Sequence, residues 1–162
     1  MSDATHNVNL IRIFNSPLQK VWKAWTDAEE VMKWWGPMGF SCPVAKMDVR
    51  VGGVSLVCMG APKEWGGKDM YNSWTYSVIV PLQRLEYIVT FTDADGNKFD
   101  PIEVGAPPGI PFEVPHVIIF KEISSNETEV TITEYGYATA EMCNLSKMGM
   151  EQCLDKMAAS FQ

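Results

Sequence analysis

The sequence predicts an α+β fold: one mostly antiparallel sheet, two short helices near its start and one long helix at its end. Three observations carry that prediction. Apolar residues alternate with a period of two from about residue 41 to residue 135, between glycine and proline punctuation. A 3.6-residue period governs residues 138–161. Helix-start signals cluster between Ser16 and Glu29.

Each element has its own signature. Residues 8–14, VNLIRIF, are rich in β-branched side chains and partly alternating, which predicts the first strand. Ser16 as N-cap, Pro17 at the first helical position and Gln19 closing a capping box predict a helix start. Leu18, Val21, Trp22 and Trp25 give that helix an apolar stripe. Thr26 with Glu29 repeats the capping spacing, so a second short helix is expected over residues 28–34, stopped by Gly36 and Pro37. Six strands follow, near residues 41–49, 54–60, 70–80, 84–92, 116–123 and 127–135. Asp95-Gly96-Asn97 and Ser124-Ser125-Asn126 read as turns of tight antiparallel hairpins. Residues 100–115 hold five prolines and two glycines, too many for a helix or a central strand, and read as a long loop at the rim. In the last helix Met150, Leu154, Met157 and Phe161 share one face, and Gly149 is expected to mark a close approach or a bend.

Composition bounds the function. The 162 residues suit one domain spanning 1–162, with 46% hydrophobic and 20% charged residues inside the globular range. Thirteen Lys and Arg against 20 Asp and Glu give a net charge of -7 with no basic cluster, so neither nucleic acid nor an anionic membrane surface is an expected partner. No signal peptide and no run of 18 apolar residues is read, so a soluble, cytoplasmic protein without membrane insertion is expected. Cys42, Cys58, Cys143 and Cys153 read as reduced core residues. With no CxxC, CxxH or HxxxH spacing and only His6 and His116, neither metal nor cofactor is expected. The Asp93-Ala94-Asp95-Gly96-Asn97 run lacks the twelfth-position acid of a calcium loop and reads as a hairpin turn.

The predicted order of strand, two short helices, six antiparallel strands and a long helix is that of the helix-grip fold, a curved sheet of six to seven strands around a C-terminal helix. Four ordered motifs sharpen this: RxFxxPxxxVWxAWT from Arg12, KWWGPxGF from Lys33, DVRVGG from Asp48 and PLQRLEY from Pro81. Together they resemble the activator of heat-shock-protein-90 ATPase homologue-like family, within the START/birch-pollen-allergen-like superfamily. This chain departs from the family pattern at Gly149-Met150, where Gly-Trp is common, and at Ser125-Asn126-Glu127, where the turn is usually glycine-rich. The resemblance implies a cavity between sheet and long helix that takes lipids, sterols, polyketides or other apolar molecules. Its motifs look structural: Trp22 and Trp25 as core, Gly52-Gly53 as a tight turn or bulge, and Asp48 with Arg50 as a charge pair.

Strand periodicity then selects candidates. Asn72, Trp74, Tyr76 and Val78 share one face of their strand, bulky with a few hydrogen-bonding tips, as a binding cavity or an ordinary core requires. His116, Ile118 and Phe120 share a face of a second strand, and Val130, Ile132 and Glu134 a face of a third. His116 follows Pro115 at a strand end, where it either meets a carboxylate as a general base or meets water. Adjacent on a helix, Trp34 and Trp35 point about 100° apart, so one of them is free to cover a cavity mouth. Met142, Met148, Met150 and Met157 offer an adaptable surface. The expected cavity residues are therefore Trp35, Met47, Asn72, Trp74, Tyr76, His116, Ile118, Phe120, Glu134, Met150 and Leu154.

With no paired nucleophile and base, non-catalytic binding of a small apolar molecule is the favoured function, with no catalytic residue assigned. Two alternatives stand: an enzyme of the cyclase, aromatase or dehydratase type using Tyr76, His116 or Glu134, and a chaperone-interacting stress-response protein. An edge strand or the loop at residues 100–115 offers a route to a homodimer.

Overall fold

The computed structural model describes residues 5–100 and 111–161. It is an α+β structure built on one seven-stranded sheet. The strands are β1 (His6–Phe14), β2 (Ala45–Lys46), β3 (Val54–Gly60), β4 (Asp69–Val80), β5 (Arg84–Thr92), β6 (Glu113–Ser124) and β7 (Glu127–Tyr137). They lie in the order β1-β7-β6-β5-β4-β3-β2, every neighbour antiparallel. Helices α1 (Leu18–Thr26) and α2 (Ala28–Trp34) follow β1, and α3 (Ala140–Ser160) closes the described chain. This is the expected helix-grip arrangement: α3 packs against β1, β7 and α2, and α1 against β6 and β7.

The helix starts differ in chemistry from the expected ones. Pro17, not Ser16, is the N-cap of α1, with extended dihedrals and no side-chain cap. Its carbonyl instead accepts from the N–H groups of Lys20 and Val21. Ser16 is buried, its carbonyl accepting from Thr128 Oγ1 at 2.9 Å, so the residue ties α1 to β7 rather than capping it. Likewise Asp27 is the N-cap of α2 without a side-chain bond, while Thr26 Oγ1 donates back to the Trp22 carbonyl. Only α3 has a side-chain cap, Thr139 accepting from the Met142 N–H at 3.1 Å among the described residues.

Three strand expectations also change. The strand expected over residues 41–49 shrinks to the two-residue β2 and one bridge from Ser41 to Gly60, because Pro43 interrupts the ladder between them. The Asp95-Gly96-Asn97 turn does not join two long strands. Asp93 Oδ1 accepts from the N–H groups of Asp95 and Asn97, and the chain leaves β5 through a single Thr92–Lys98 bridge. Strand β6 begins at Glu113, before His116, so Pro115 stands inside it opposite Ile88. Pairing with β7 starts only at His116, so Pro115 lies where the strand has one neighbour and loses least from its missing N–H. Residues 101–110 of the expected rim loop lie outside the described residues. The Ser125-Asn126 hairpin between β6 and β7 forms as expected, as does the Arg50–Asp48 pair at 2.9 Å, in a turn rather than on a strand. Gly53 ends that turn, and a Cβ there would stand 2.5 Å from the Asp48 carbonyl oxygen.

The main core joins Trp25, Trp34, Trp74, Tyr87, Phe120, Leu154 and Met157, all buried. A smaller cluster of Val8, Val114, Tyr137, Met142 and Cys143 sits beneath the first half of α3. All four cysteines are buried and unpaired. No described helix is long and apolar enough to cross a membrane.

Candidate functional site

Between the two clusters the concave face of the sheet is not filled. A partly open cavity of about 280 Å³ lies there, walled by β4, β5, β6 and β7, by the loop after α2 and by the middle of α3. Its α3 side is made of small or slender residues, Ser146, Gly149, Met150 and Cys153. Gly149 therefore marks open space, not the expected close approach: a Cβ there would meet nothing within 4 Å.

Of the expected cavity residues, Trp35, Asn72, His116, Glu134 and Met150 stand in this wall. Trp74, Ile118, Phe120 and Leu154 lie behind it in the main core, and Met47 packs against that core from its edge. Tyr76 is buried away from the wall, its hydroxyl 2.8 Å from Ser55 Oγ, and burial pushes its phenol up to about 12. Trp34 is fully buried and donates from Nε1 to the Ala24 carbonyl at 2.7 Å, which leaves Trp35 as the tryptophan facing the cavity. Met148 is exposed and takes no part. Val78 also leaves the expected face. A bulge at Ser77 shifts the register, so Ile79 rather than Val78 packs on the core.

The polar end of the cavity is assembled by strand register. Tyr87 on β5, His116 on β6 and Glu134 on β7 are direct cross-strand partners. Trp74 stacks on Tyr87 at 4.9 Å, and Tyr87 stacks on His116 at 5.3 Å, both with planes 19° apart. That stack fixes the imidazole plane. His116 is buried rather than wet, its Nδ1 2.9 Å from the Val114 carbonyl oxygen. A carbonyl only accepts, so Nδ1 carries hydrogen and Nε2 turns toward Glu134 Oε2, 3.7 Å away.

Tyr137 completes the group, and its placement depends on a bulge. Three residues after Glu134, it would face the opposite side of a regular strand. The β1–β7 register jumps there, with His6 opposite Tyr137 and Val8 opposite Glu134, and Gly136 takes φ +94°. The extra residue returns Tyr137 to the inner face, where its O–H donates to Glu134 Oε1 at 2.6 Å. Burial first, and the neighbouring Glu134 charge second, raise the Tyr137 phenol far above its usual range, so it remains a donor. The sequence does hold a signal for this residue, the lone glycine inside a strand pattern.

The rest of the wall is apolar: Pro37, Phe40, Met59, Met70, Val89 and Phe91. Two hydrogen bonds fix the Gly36–Phe40 loop to α3, since Lys156 Nζ donates to the carbonyls of Gly36 at 2.9 Å and Phe40 at 3.1 Å. Gln152 Oε1 adds a third, accepting from the Met38 N–H at 3.0 Å. Cys153 contributes a neutral thiol, pushed up to about 12 by burial. No group of three metal-ligating side chains occurs among the described residues.

A curved antiparallel sheet gripping a long helix over a cavity defines the helix-grip class of α+β proteins. Within it, this chain belongs to the family described as Activator of Hsp90 ATPase homolog 1-like protein, whose model matches residues 15–162. Similar solved structures include protein CV1439 from Chromobacterium violaceum, 26% identical, with TM-score 0.76 over 96% of both chains. The AHSA1 protein SPO3351 from Silicibacter pomeroyi is 18% identical, with TM-score 0.74 over 96% of both chains. Protein Ms6760 from Mycobacterium smegmatis is 21% identical, with TM-score 0.71 over 96% of this chain and 87% of its own. The last two likenesses are of fold alone. No curated protein matches this chain.

Proposed function

We propose that the protein binds a small, mainly apolar molecule in the cavity between sheet and α3, without transforming it. One observation carries this reading: the cavity of about 280 Å³ is apolar except at one end, where buried polar groups have bonding capacity to spare. Glu134 Oε2 faces His116 beyond hydrogen-bond distance, and the Asn72 carboxamide is buried in the wall without a hydrogen bond to another described side chain. A ligand that bonds to these groups while burying an apolar body gains from both contacts.

The test is native mass spectrometry of the purified protein, with thermal shifts against a library of apolar compounds. A co-purifying ligand or a saturable rise in unfolding temperature is expected. Neither, across a chemically broad library, sinks the reading.

The same end of the cavity favours one second reading, proton transfer on a bound substrate. Glu134 is flanked by a tyrosine hydroxyl at 2.6 Å and an imidazole at 3.7 Å, the types of group that move protons in cyclases and dehydratases. Deuterium from solvent appearing in the bound compound with the wild type, and not with Glu134→Gln, would select it over binding alone.

A further inference from the structure

The polar end of the cavity carries a carboxyl group, and its spare donors, the Asn72 carboxamide among them, are neutral. Tyr137 spends its O–H on Glu134 Oε1, and His116 spends its Nδ1–H on the Val114 carbonyl. The wall carries Glu134 and no lysine or arginine among the described residues. Lys156, near the loop after α2, is committed to two backbone carbonyls and lies outside the wall. A carboxylate or phosphate brought here would meet the Glu134 carboxyl in a buried site with no lysine or arginine to offset it. A hydroxyl or an ammonium would instead donate to Glu134 Oε2.

The apolar end of the cavity continues. A second, larger cavity of about 590 Å³ lies under the connections that follow β3 and β5. It shares Phe40, Met70 and Phe91 with the first, so these three side chains are the partition between the two. Beyond them the apolar lining resumes with Trp65 and Phe99, and Phe40 meets Trp65 edge to face at 5.5 Å. Lys68, Asp69 and Asp93 also line this outer space. Met70, partly exposed and unbranched, is the part of the partition that can swing aside.

We propose that the site takes an elongated amphiphile with a hydrogen-bond-donating head, an alcohol or a primary amine. The head sits at Glu134 Oε2, and the chain passes between Phe40, Met70 and Phe91 into the outer cavity. This rests on the binding reading above and adds to it the charge class of the head and the length of the body.

The experiment is calorimetric titration of the full chain with hexanol, decanol and tetradecanol, with the amines and carboxylates of the same lengths, and with a compact apolar dye. Decanol or decylamine is expected to bind at least about tenfold tighter than decanoate, with Glu134→Gln narrowing that gap. Affinity should climb with chain length, by roughly fourfold for each further methylene that is buried. Met70→Trp should remove the gain between decanol and tetradecanol. Trp65→Ala, at an exposed position that asks little of the fold, should reduce the same gain. Unchanged unfolding temperatures identify the variants as folded. Decanoate binding as tightly as decanol overturns the head assignment, and affinity that is flat beyond hexanol overturns the path of the chain. If the dye binds and the amphiphiles do not, this inference alone fails; if nothing binds, the binding reading fails with it.

Discussion

The space between sheet and helices is used in two opposite ways. Under α1 and α2, large rings close on one another: Trp25 meets Trp34 at 5.2 Å, Trp25 meets Phe120 at 5.4 Å, and Trp22 meets Phe120 at 5.0 Å. Leu154 and Met157 from α3 fill what remains. From just before Leu154 back to about two turns earlier on the same helix, Cys153, Gly149 and Ser146 present little volume, and the sheet opposite them carries His116, Glu134 and Asn72. The helix is continuous across both regions, so side-chain volume along one of its faces decides where the molecule is solid and where it is hollow.

Trp34→Ala should have the largest effect, because it empties the solid region and removes the Nε1 bond to Ala24. A loss of about 3–5 kcal/mol, read from the denaturant midpoint, is expected. Trp35→Ala opens onto space that is already empty and should cost clearly less; equal losses would erase the distinction between the two regions.

Next in size, Tyr137→Phe leaves Glu134 Oε1 buried without its donor, at an expected cost of about 1–3 kcal/mol. The same change should weaken any ligand held at Glu134, through a carboxyl no longer held in place.

Gly149 sharpens the comparison in the other direction. With nothing within 4 Å of an added Cβ, Gly149→Ala should raise stability by up to about 1 kcal/mol through helix propensity alone. Gly149→Phe should fill the cavity and lower ligand affinity while leaving the protein folded. A strongly destabilised Gly149→Ala would show that the space is not there.

The last effect is alkaline and emerges only above the ordinary thiol range. The Cys153 thiol titrates near 9.0 when unfolded and is pushed up to about 12 by burial when folded. Between those values the unfolded chain has released a proton that the folded one keeps, so stability falls as pH rises through that window. Chemical denaturation across it should show a shallower fall for Cys153→Ala than for the wild type.

The secondary structure was legible where a period ran uninterrupted. Strands β3 and β5 occupy the expected residues because alternation there has no proline and no bulge to disturb it. The stretch at 41–49 failed because alternation does not reveal that Pro43 denies the ladder a donor. In the site, His116 and Glu134 were legible as inward-facing members of adjacent strands, and Asn72 as a polar tip on a bulky face. Tyr137 was missed because the expected strand stopped at residue 135, while β7 runs on to Tyr137 and the bulge at Gly136 turns that residue inward. Met59, Met70 and Phe91 were missed for another reason: nothing local distinguishes an apolar residue that borders a void from one that borders another side chain.

Read along the chain alone, the residues were enough for the α+β class, the order of elements, the family, and the two central polar residues of the site. These follow from local periods and from motifs, which act over a few residues. Packing in three dimensions sets which of the inward-facing residues touch empty space, that Glu134 is bonded by Tyr137, and that two cavities meet at Phe40, Met70 and Phe91. Each of these depends on register and on side-chain volume from segments far apart in the chain, and a cavity is a property of what those segments fail to fill.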